Sequence, residues 1–227
     1  MPVRKVSNRG GNVIGSFPPQ IKGEKVRYES TIERNVVYFF KFDPTVITYH
    51  AQPMVIVGTD AEGNTHTYTP DFLVVRTDRK EIIECKPQAL LDSSHAQQQI
   101  AIGSEWAANN NHDFAIVTDT NLHAGHTLEN LKILWRYSRQ RVPTATLARC
   151  IDHVEKYPEG LSFQELALYL STLAVRDAQP FMQAPLIYNM LFRHILSVEL
   201  TIPFTQATLL RRCQTPTAAP LTYIRPE

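Results

Sequence analysis

The stretch TPDFLVVRTDRKEIIECK, residues 69–86, contains two apolar segments joined by a polar turn. β-Branched and aromatic residues fill both segments, which is typical of two strands in a hairpin. Apolar side chains occupy both faces of these strands, so we expect the hairpin to lie at the centre of a sheet. Three charged residues, Asp71, Glu84 and Lys86, stand near its outer ends. The pattern therefore predicts a buried hairpin with a charged end.

The predicted register follows from a two-residue loop, Asp78-Arg79, at the tip of this hairpin. With that loop, Asp71 faces Lys86, and Glu84 is a diagonal neighbour of Asp71. Side chains alternate between the two faces of a strand, so all three charged groups emerge on one side. A register shifted by one residue would send them to opposite faces.

Two carboxylates held close together repel each other and need a compensating charge. Oxygen ligands are typical of Mg²⁺ and Mn²⁺ sites. A lysine two residues beyond such a ligand, as Lys86 is beyond Glu84, is placed to orient or deprotonate a metal-associated water. The pattern favours hydrolysis of a phosphodiester. The alternative is a surface salt bridge at a hairpin end. Pro70, which fixes the strand entry before Asp71, and the apolar strands favour the buried site over that alternative.

The rest of the chain predicts two domains behind a basic N-terminal arm, residues 1–27. Residues 28–141 follow the order α-β-β-β-α-β-α, with the first three strands predicted at 45–59, 66–77 and 80–86. This order predicts an α/β fold with a mixed sheet flanked by helices. Residues 142–227 predict three helices and then a short hairpin, the pattern of a small winged-helix domain.

The third helix of that second domain is the candidate recognition helix. Its residues Asn189, Arg193 and His194 are predicted to face outward. A single arginine is too little positive charge for a helix that binds DNA, because several phosphates must be neutralised. We therefore expect this domain to contact protein rather than to read a DNA sequence.

The composition sets limits on the function. The chain has 227 residues, a net charge of +1 and three scattered cysteines. A charge this low gives no general attraction to nucleic acid, so a DNA partner requires a local basic patch. Three unpaired cysteines favour a reducing cytosol over a disulfide framework or a zinc site. We expect no membrane partner, because no apolar run approaches the ~20 residues of a membrane span, and no secretory signal begins the chain.

Five short motifs carry a resemblance to a known family. They are YESTIER at 28–34, FDP at 42–44, QP at 52–53, YTPDF at 68–72 and ExK at 84–86. This ordered set resembles the TnsA endonuclease of Tn7-like heteromeric transposons, within the PD-(D/E)xK restriction-endonuclease-like superfamily. The likeness covers about residues 20–140, and more loosely the C-terminal part.

The resemblance implies a site, residue by residue. Glu33 corresponds to the helical acid, Asp71 to the central metal ligand, Glu84 to the second strand ligand and Lys86 to the catalytic lysine. The backbone carbonyl of Cys85 is a further implied ligand. The implied cofactor is Mg²⁺, with Mn²⁺ as a substitute, as one or two ions. Some members have glutamine where this chain has Glu84, and the glutamate is expected to keep or tighten metal binding.

Two interpretations of Glu33 remain open. Ser30-x-x-Glu33 is a capping box, in which the glutamate accepts from the backbone N–H of Ser30. The resemblance favours a metal ligand instead, and a first-turn acid is compatible with both roles.

Candidate DNA contacts come from basic and amide side chains. Gln52 either lines the site or shapes a strand entry, and Gln98 either contacts phosphates or belongs to a solvated helix face. The basic candidates are Arg27, Arg211 and Arg212.

The resemblance also implies partners and a reaction. Such a protein cleaves double-stranded DNA at the 5′ ends of a transposon, beside a DDE-type, TnsB-like transposase and an AAA+, TnsC-like ATPase regulator in the bacterial cytoplasm. The alternatives are a restriction or repair endonuclease that acts without a transposase, and a non-catalytic adaptor.

Overall fold

The computed structural model describes residues in four segments, 15–17, 26–59, 63–176 and 183–226. The chain divides into two compact units. The first unit comprises the chain up to Ala124 together with the segment from Leu221 onward. The second unit is Gly125–Pro220. Most of the predicted basic arm, residues 1–27, lies outside the described residues.

The first unit alternates strands and helices. Its elements are β1 (Gly15–Phe17), β2 (Val26–Tyr28), α1 (Thr31–Phe42), β3 (Val46–Ala51), β4 (Ile56–Thr59), β5 (Thr65–Tyr68), β6 (Phe72–Arg76), β7 (Lys80–Lys86), α2 (Ser94–Asn109), β8 (Asp113–Thr118) and α3 (Asp119–Leu122).

A four-stranded mixed sheet forms the core of this unit. Its order is β3-β6-β7-β8, with β3, β6 and β7 antiparallel and β8 parallel to β7. This confirms the predicted α/β class and the central position of the hairpin. Strands β4 and β5 form a separate two-stranded hairpin.

Two predicted strands are each divided in the structure. The strand predicted from residue 45 to 59 breaks after β3, where Gln52 has a φ of 47° and Pro53 follows. The strand predicted from residue 66 to 77 breaks at Pro70, which has no N–H to donate to a neighbouring strand. The predicted three strands therefore become five.

The predicted register of the central hairpin is wrong by two residues. Val75 pairs with Lys80, so four residues rather than two lie between the last paired positions. The backbone N–H of Arg76 donates to the carbonyl of Arg79 at 2.8 Å and closes this longer turn. A shift of two residues keeps every side chain on its predicted face, because the side-chain period of a strand is two.

Helices α1 and α2 cover opposite faces of the sheet. On one face, Phe40 of α1 packs against Tyr49 and Phe72, with ring centroids 5.4 Å apart in both pairs. On the other face, Ile100 of α2 belongs to a cluster with Ile82. Phe72 and Ile82 belong to opposite faces because Phe72 pairs with Ile83, the next residue along β7.

The last residues of the chain return to the first unit. Ile224 exchanges two backbone hydrogen bonds with Ile116 of β8, at 2.8 and 3.0 Å. Arg225 donates to Glu81 at 2.7 Å. This terminal segment therefore belongs to the first unit, although the sequence predicted it as part of a second domain, residues 142–227.

The second unit combines helices with short strands. Its elements are α4 (Thr127–Arg136), α5 (Thr144–Val154), β9 (Leu161–Ser162), α6 (Phe163–Arg176), α7 (Gln183–Phe192), β10 (Leu196–Ser197) and β11 (Leu209–Arg212). The three strands form an antiparallel sheet in the order β10-β11-β9. Helix α4 packs on α7, so the division between units falls before α4 instead of at residue 141.

The predicted outward position of Asn189 is wrong. Its side chain is 1% exposed, and its Nδ2 donates to the carbonyls of Tyr137 and Ser138 at 3.0 and 2.9 Å. The asparagine therefore holds the end of the α4 segment against α7. Arg193 is exposed, as predicted.

Within the described part of the chain, no helix has both the length and the apolar character to cross a membrane.

Candidate active site

The candidate site forms where β6 begins and β7 ends. Phe72 pairs with Ile83, and the same register continued by one residue puts Asp71 opposite Glu84. The backbone N–H of Cys85 donates to Asp71 Oδ2 at 2.7 Å. Asp71 is therefore held by the backbone of the opposite strand.

Glu84 is buried and is bound by two side chains. The hydroxyl of Tyr68 donates to its Oε2 at 2.5 Å, and Lys86 Nζ lies 2.9 Å from its Oε1. Lys86 Nζ also donates to Gln99 Oε1, on α2, at 2.7 Å. Both the acid and the amine are thus fixed by neutral partners as well as by each other.

Close packing by α2 holds Tyr68 in place. A Cβ added to Gly103 of this helix would lie 2.7 Å from the Tyr68 ring and 2.5 Å from Phe114. Such distances are shorter than carbon atoms allow, so only glycine permits the helix to approach this closely.

Glu33 lies in the first turn of α1, and its side chain is buried. Its backbone N–H donates to Ser30 Oγ at 3.1 Å, which is the first half of the predicted capping box. The second half is different, because Glu33 Oε2 accepts from the backbone N–H of Glu29 at 2.9 Å and not from Ser30. The cap is therefore real but displaced by one residue.

The three acids affect each other's ionisation. Burial raises the pKa of Asp71 well above its usual value, and repulsion from Glu84 and then Glu33 raises it further. Burial also raises the pKa of Glu84, against the lowering effects of Lys86 and the Tyr68 hydroxyl. The pKa of Glu33 is raised by burial first and also by the charges of Glu29 and Glu84. This mutual repulsion favours a ligand that supplies positive charge.

The described residues contain no group of three His, Cys, Asp or Glu side chains spaced to hold a metal ion. Each acid is instead bound to protein groups, Asp71 to Cys85, Glu84 to Tyr68 and Lys86, and Glu33 to Glu29. A three-carboxylate cage therefore stays a prediction, and Asp71 with Glu84 forms the opposed pair.

The Cys85 thiol is buried and lies on the opposite face of β7 from the side chains of Glu84 and Lys86. Burial and the charge of Asp71 raise its pKa well above the usual value, so the thiolate is disfavoured. This agrees with a packing role for the sulfur. The role of the Cys85 carbonyl as a ligand stays a prediction.

The predicted DNA contacts lie in different environments. Gln52 is buried, and its Nε2 donates to Glu29 Oε1 at 3.0 Å. Gln98 is half-buried on α2. Arg211 is exposed on β11, whereas Arg212 donates to the carbonyl of Ile195 and lies 3.6 Å from Glu155.

The remaining basic candidate, Arg27, has a side chain outside the described residues. Arg212 is already engaged by groups of its own unit, which leaves Arg211 as the more accessible of the two.

Sequence reasoning assigned no role in the site to Tyr68, Gln99 or Glu29. Tyr68 stands three residues before Asp71 in the YTPDF motif, and Glu29 belongs to the YESTIER motif. Membership in these motifs is the signal that points to both residues. Gln99 gave no comparable signal, because one glutamine among three on a helix indicates nothing by itself.

The fold and the position of the acids indicate the class of protein. A mixed α/β sheet with helices, and acids beside a lysine at the end of its central hairpin, agree with the restriction-endonuclease-like fold that the motifs implied. Residues 43–119 match the family model described as TnsA-like endonuclease N terminal. The match confirms the predicted resemblance to TnsA-like endonucleases for this segment, which contains Asp71, Glu84 and Lys86. A comparison with curated proteins finds no match to the chain.

Proposed function

We propose that this protein is the endonuclease subunit of a heteromeric transposase and cleaves phosphodiesters at the 5′ ends of its transposon. The observation that carries the proposal is the opposed pair of acids, Asp71 and Glu84, with Lys86 in an ion pair with Glu84. All three residues lie in the segment that matches TnsA-like endonucleases. Cut-and-paste movement then requires the TnsB-like partner for the 3′ ends.

The residues present suit a divalent cation such as Mg²⁺. Asp71 and Glu84 offer hard oxygen ligands, their carboxylates repel each other, and Lys86 is the nearby cation. Glu33, or the Cys85 carbonyl, is the candidate for a further ligand. When bound, such an ion stabilises charge on the scissile phosphate and lowers the pKa of the attacking water.

Lys86 acts on the proton of the attacking water in this proposal. Glu84 and Gln99 hold its Nζ at 2.9 and 2.7 Å, so the ammonium has a fixed position without being fully neutralised. As an ammonium, Lys86 orients the nucleophile. It accepts the proton of the water only after passing one of its own to the Glu84 carboxylate, 2.9 Å away.

The second unit serves in this proposal as a protein-docking domain of the winged-helix type. Its helices and its three-stranded antiparallel sheet support that reading. With Asn189 buried, Arg193 and His194 are the remaining candidates from the predicted recognition helix. They follow the end of α7, where His194 is half-buried, and offer little charge for DNA recognition. The expected partners are the TnsB-like transposase and the TnsC-like ATPase.

Strand cleavage at labelled transposon ends tests the proposal, with the protein and its transposase partner mixed in the presence of Mg²⁺. Asp71→Ala is expected to reduce 5′-end cleavage by about 100-fold or more. Asp78→Ala is the matched control, because Asp78 is an exposed aspartate at the opposite end of the same hairpin. Equal cleavage by the wild type and by Asp71→Ala would contradict the proposal.

A further inference from the structure

Gln52 has an unusual environment for a glutamine. Its side chain is only 9% exposed, and its Oε1 atom is buried without a hydrogen-bond partner among the described residues. Its backbone has a φ of 47°, in the left-handed region that side chains other than glycine rarely adopt. Conformations of this kind persist where the surrounding structure enforces them, and they cluster at functional sites.

Gln52 connects the two sides of the acidic site. Its backbone N–H donates to the carbonyl of Asp71 at 2.9 Å. Its Nε2 donates to Glu29 Oε1 at 3.0 Å, and the Glu29 backbone N–H in turn donates to Glu33. One residue therefore contacts both the strand that carries Asp71 and the segment that caps the helix of Glu33.

The orientation of the Gln52 amide follows from these contacts. A carboxylate only accepts hydrogen bonds, so the amide nitrogen must face Glu29. The carbonyl oxygen Oε1 is then the atom left without a partner. Burying such an acceptor costs free energy unless a donor or a cation completes its hydrogen bonding.

The missing partner of Oε1 is not a phosphate. A phosphodiester oxygen is an acceptor, and two acceptors do not bond. Gln52 bonds to Glu29 and to the backbone of Asp71, and Glu29 bonds to Glu33. The group that completes this acidic site must therefore bring positive charge or polarised hydrogens. A hydrated divalent cation supplies both.

We propose that Gln52 is a further residue of the site, which supplies the neutral oxygen Oε1 to the hydrated cation. The inference rests on the proposed function and adds a residue to it. It also gives Gln52, which was predicted as a candidate DNA contact that either lines the site or shapes a strand entry, the role of supporting the cation.

Manganese binding followed by electron paramagnetic resonance tests this without measuring activity. Gln52→Met keeps most of the side-chain volume and removes both amide atoms. Gln52→Glu keeps an acceptor oxygen and removes the donor. Gln88→Met is the matched control, because Gln88 is exposed in the turn after β7. Thermal unfolding of each variant without metal measures folding separately.

The expected result is a loss of about 10- to 100-fold in Mn²⁺ affinity for Gln52→Met, the usual effect of removing a residue that supports metal ligands. Gln52→Glu is expected to bind at least as tightly as the wild type, and Gln88→Met to bind like the wild type. If Gln52→Met does not fold, the Mn²⁺ affinity of Gln52→Glu tests the inference, and an affinity below that of the wild type contradicts it.

Two results would overturn the inference alone. Wild-type affinity in folded Gln52→Met would show that Oε1 is not used. An equal loss in Gln52→Met and Gln52→Glu would show that Gln52 acts only by holding Glu29. Asp71→Ala separates the inference from the proposed function, because Mn²⁺ binding that is absent in the wild type, or unchanged in Asp71→Ala, overturns both.

Discussion

Asp71 accepts a hydrogen bond of 2.7 Å from the backbone N–H of Cys85, across the central hairpin. The donor belongs to the residue between Glu84 and Lys86, so one strand end holds the acid and also carries its two charged neighbours. A backbone donor cannot rotate away as a side chain can. The position of Asp71 is therefore determined by the pairing of the two strands.

Tyr68→Phe removes the hydroxyl that donates to Glu84 Oε2 and leaves the ring in place. Because that hydrogen bond lowers the pKa of Glu84, its loss raises this pKa further. We expect the acidic limb of the cleavage pH profile to move to higher pH. The unfolding free energy should fall by about 1.5–3 kcal/mol, the range for a hydrogen bond to a charged group. Cleavage rates from pH 5 to 9 and urea unfolding measure the two effects.

Tyr49→Phe is the control for Tyr68→Phe, since Tyr49 packs its ring against Phe40 and Phe72 on the other face of the sheet. Its pH profile should match that of the wild type. A profile for Tyr68→Phe that is also unchanged would mean that the Tyr68 hydroxyl does not influence Glu84.

Asp71→Asn tests the electrostatic cost of the site in the absence of divalent ions. The pKa of Asp71 is raised by folding, so the unfolded chain loses its proton first as pH rises above about 4. Stability is then full below the unfolded pKa and falls as pH rises toward the folded pKa. Asp71→Asn should therefore be more stable than the wild type near pH 7, by about 1 kcal/mol. The gain should disappear near pH 3.

Urea unfolding at the two pH values measures this difference, and Asp78→Asn serves as the exposed control. A variant Asp71→Asn that is less stable than the wild type at pH 7 would contradict the repulsion between the acids.

Arg76 and Arg225 share the buried carboxylate of Glu81 and should contribute unequally to stability. Arg76 is buried, and its Nε lies 3.0 Å from Glu81 Oε2, with Asp43 as a second acidic partner. Arg225 lies 2.7 Å from Glu81 Oε1 and has a half-exposed side chain. Arg76→Met should cost about 3–5 kcal/mol, because it removes the buried cation from Asp43 and leaves Glu81 only the more exposed Arg225.

Arg225→Met should cost at most about 1 kcal/mol, because solvent screens its ion pair. Urea unfolding of both variants makes the comparison. Equal losses of unfolding free energy in the two variants would mean that the ion pair of Arg225 with Glu81 stabilises the fold as much as the buried Arg76 does.

The sheet was predictable from sequence because its central strands are apolar on both faces and end in turn residues. The register was not, because turn length depends on a buried interaction. The side chain of Arg76 points inward to Glu81 and Asp43, so the turn begins earlier than the Asp78-Arg79 pair indicates. The shift by two residues left the faces unchanged, and Asp71 came to lie opposite Glu84 instead of Lys86.

Contacts between distant parts of the chain could not be predicted from the sequence. Asn189 has the polarity of an exposed residue, yet its amide nitrogen donates to two backbone carbonyls at the end of α4 in the core. Tyr68 reaches Glu84 because α2 approaches at Gly103. The terminal segment joins β8 through backbone hydrogen bonds at Ile224, which leave no side-chain pattern. Each of these features depends on packing partners that periodicity does not reveal.

The position of a bound metal ion tests the proposed site of Asp71 and Glu84 most directly. Crystals soaked in Mn²⁺, with anomalous diffraction recorded near the manganese edge, locate the ion independently of any assay. We expect an anomalous peak between the carboxylates of Asp71 and Glu84, with oxygen distances of about 2.2 Å. The absence of a peak there, or a peak held only by other residues, would contradict the assignment of these acids as the metal site.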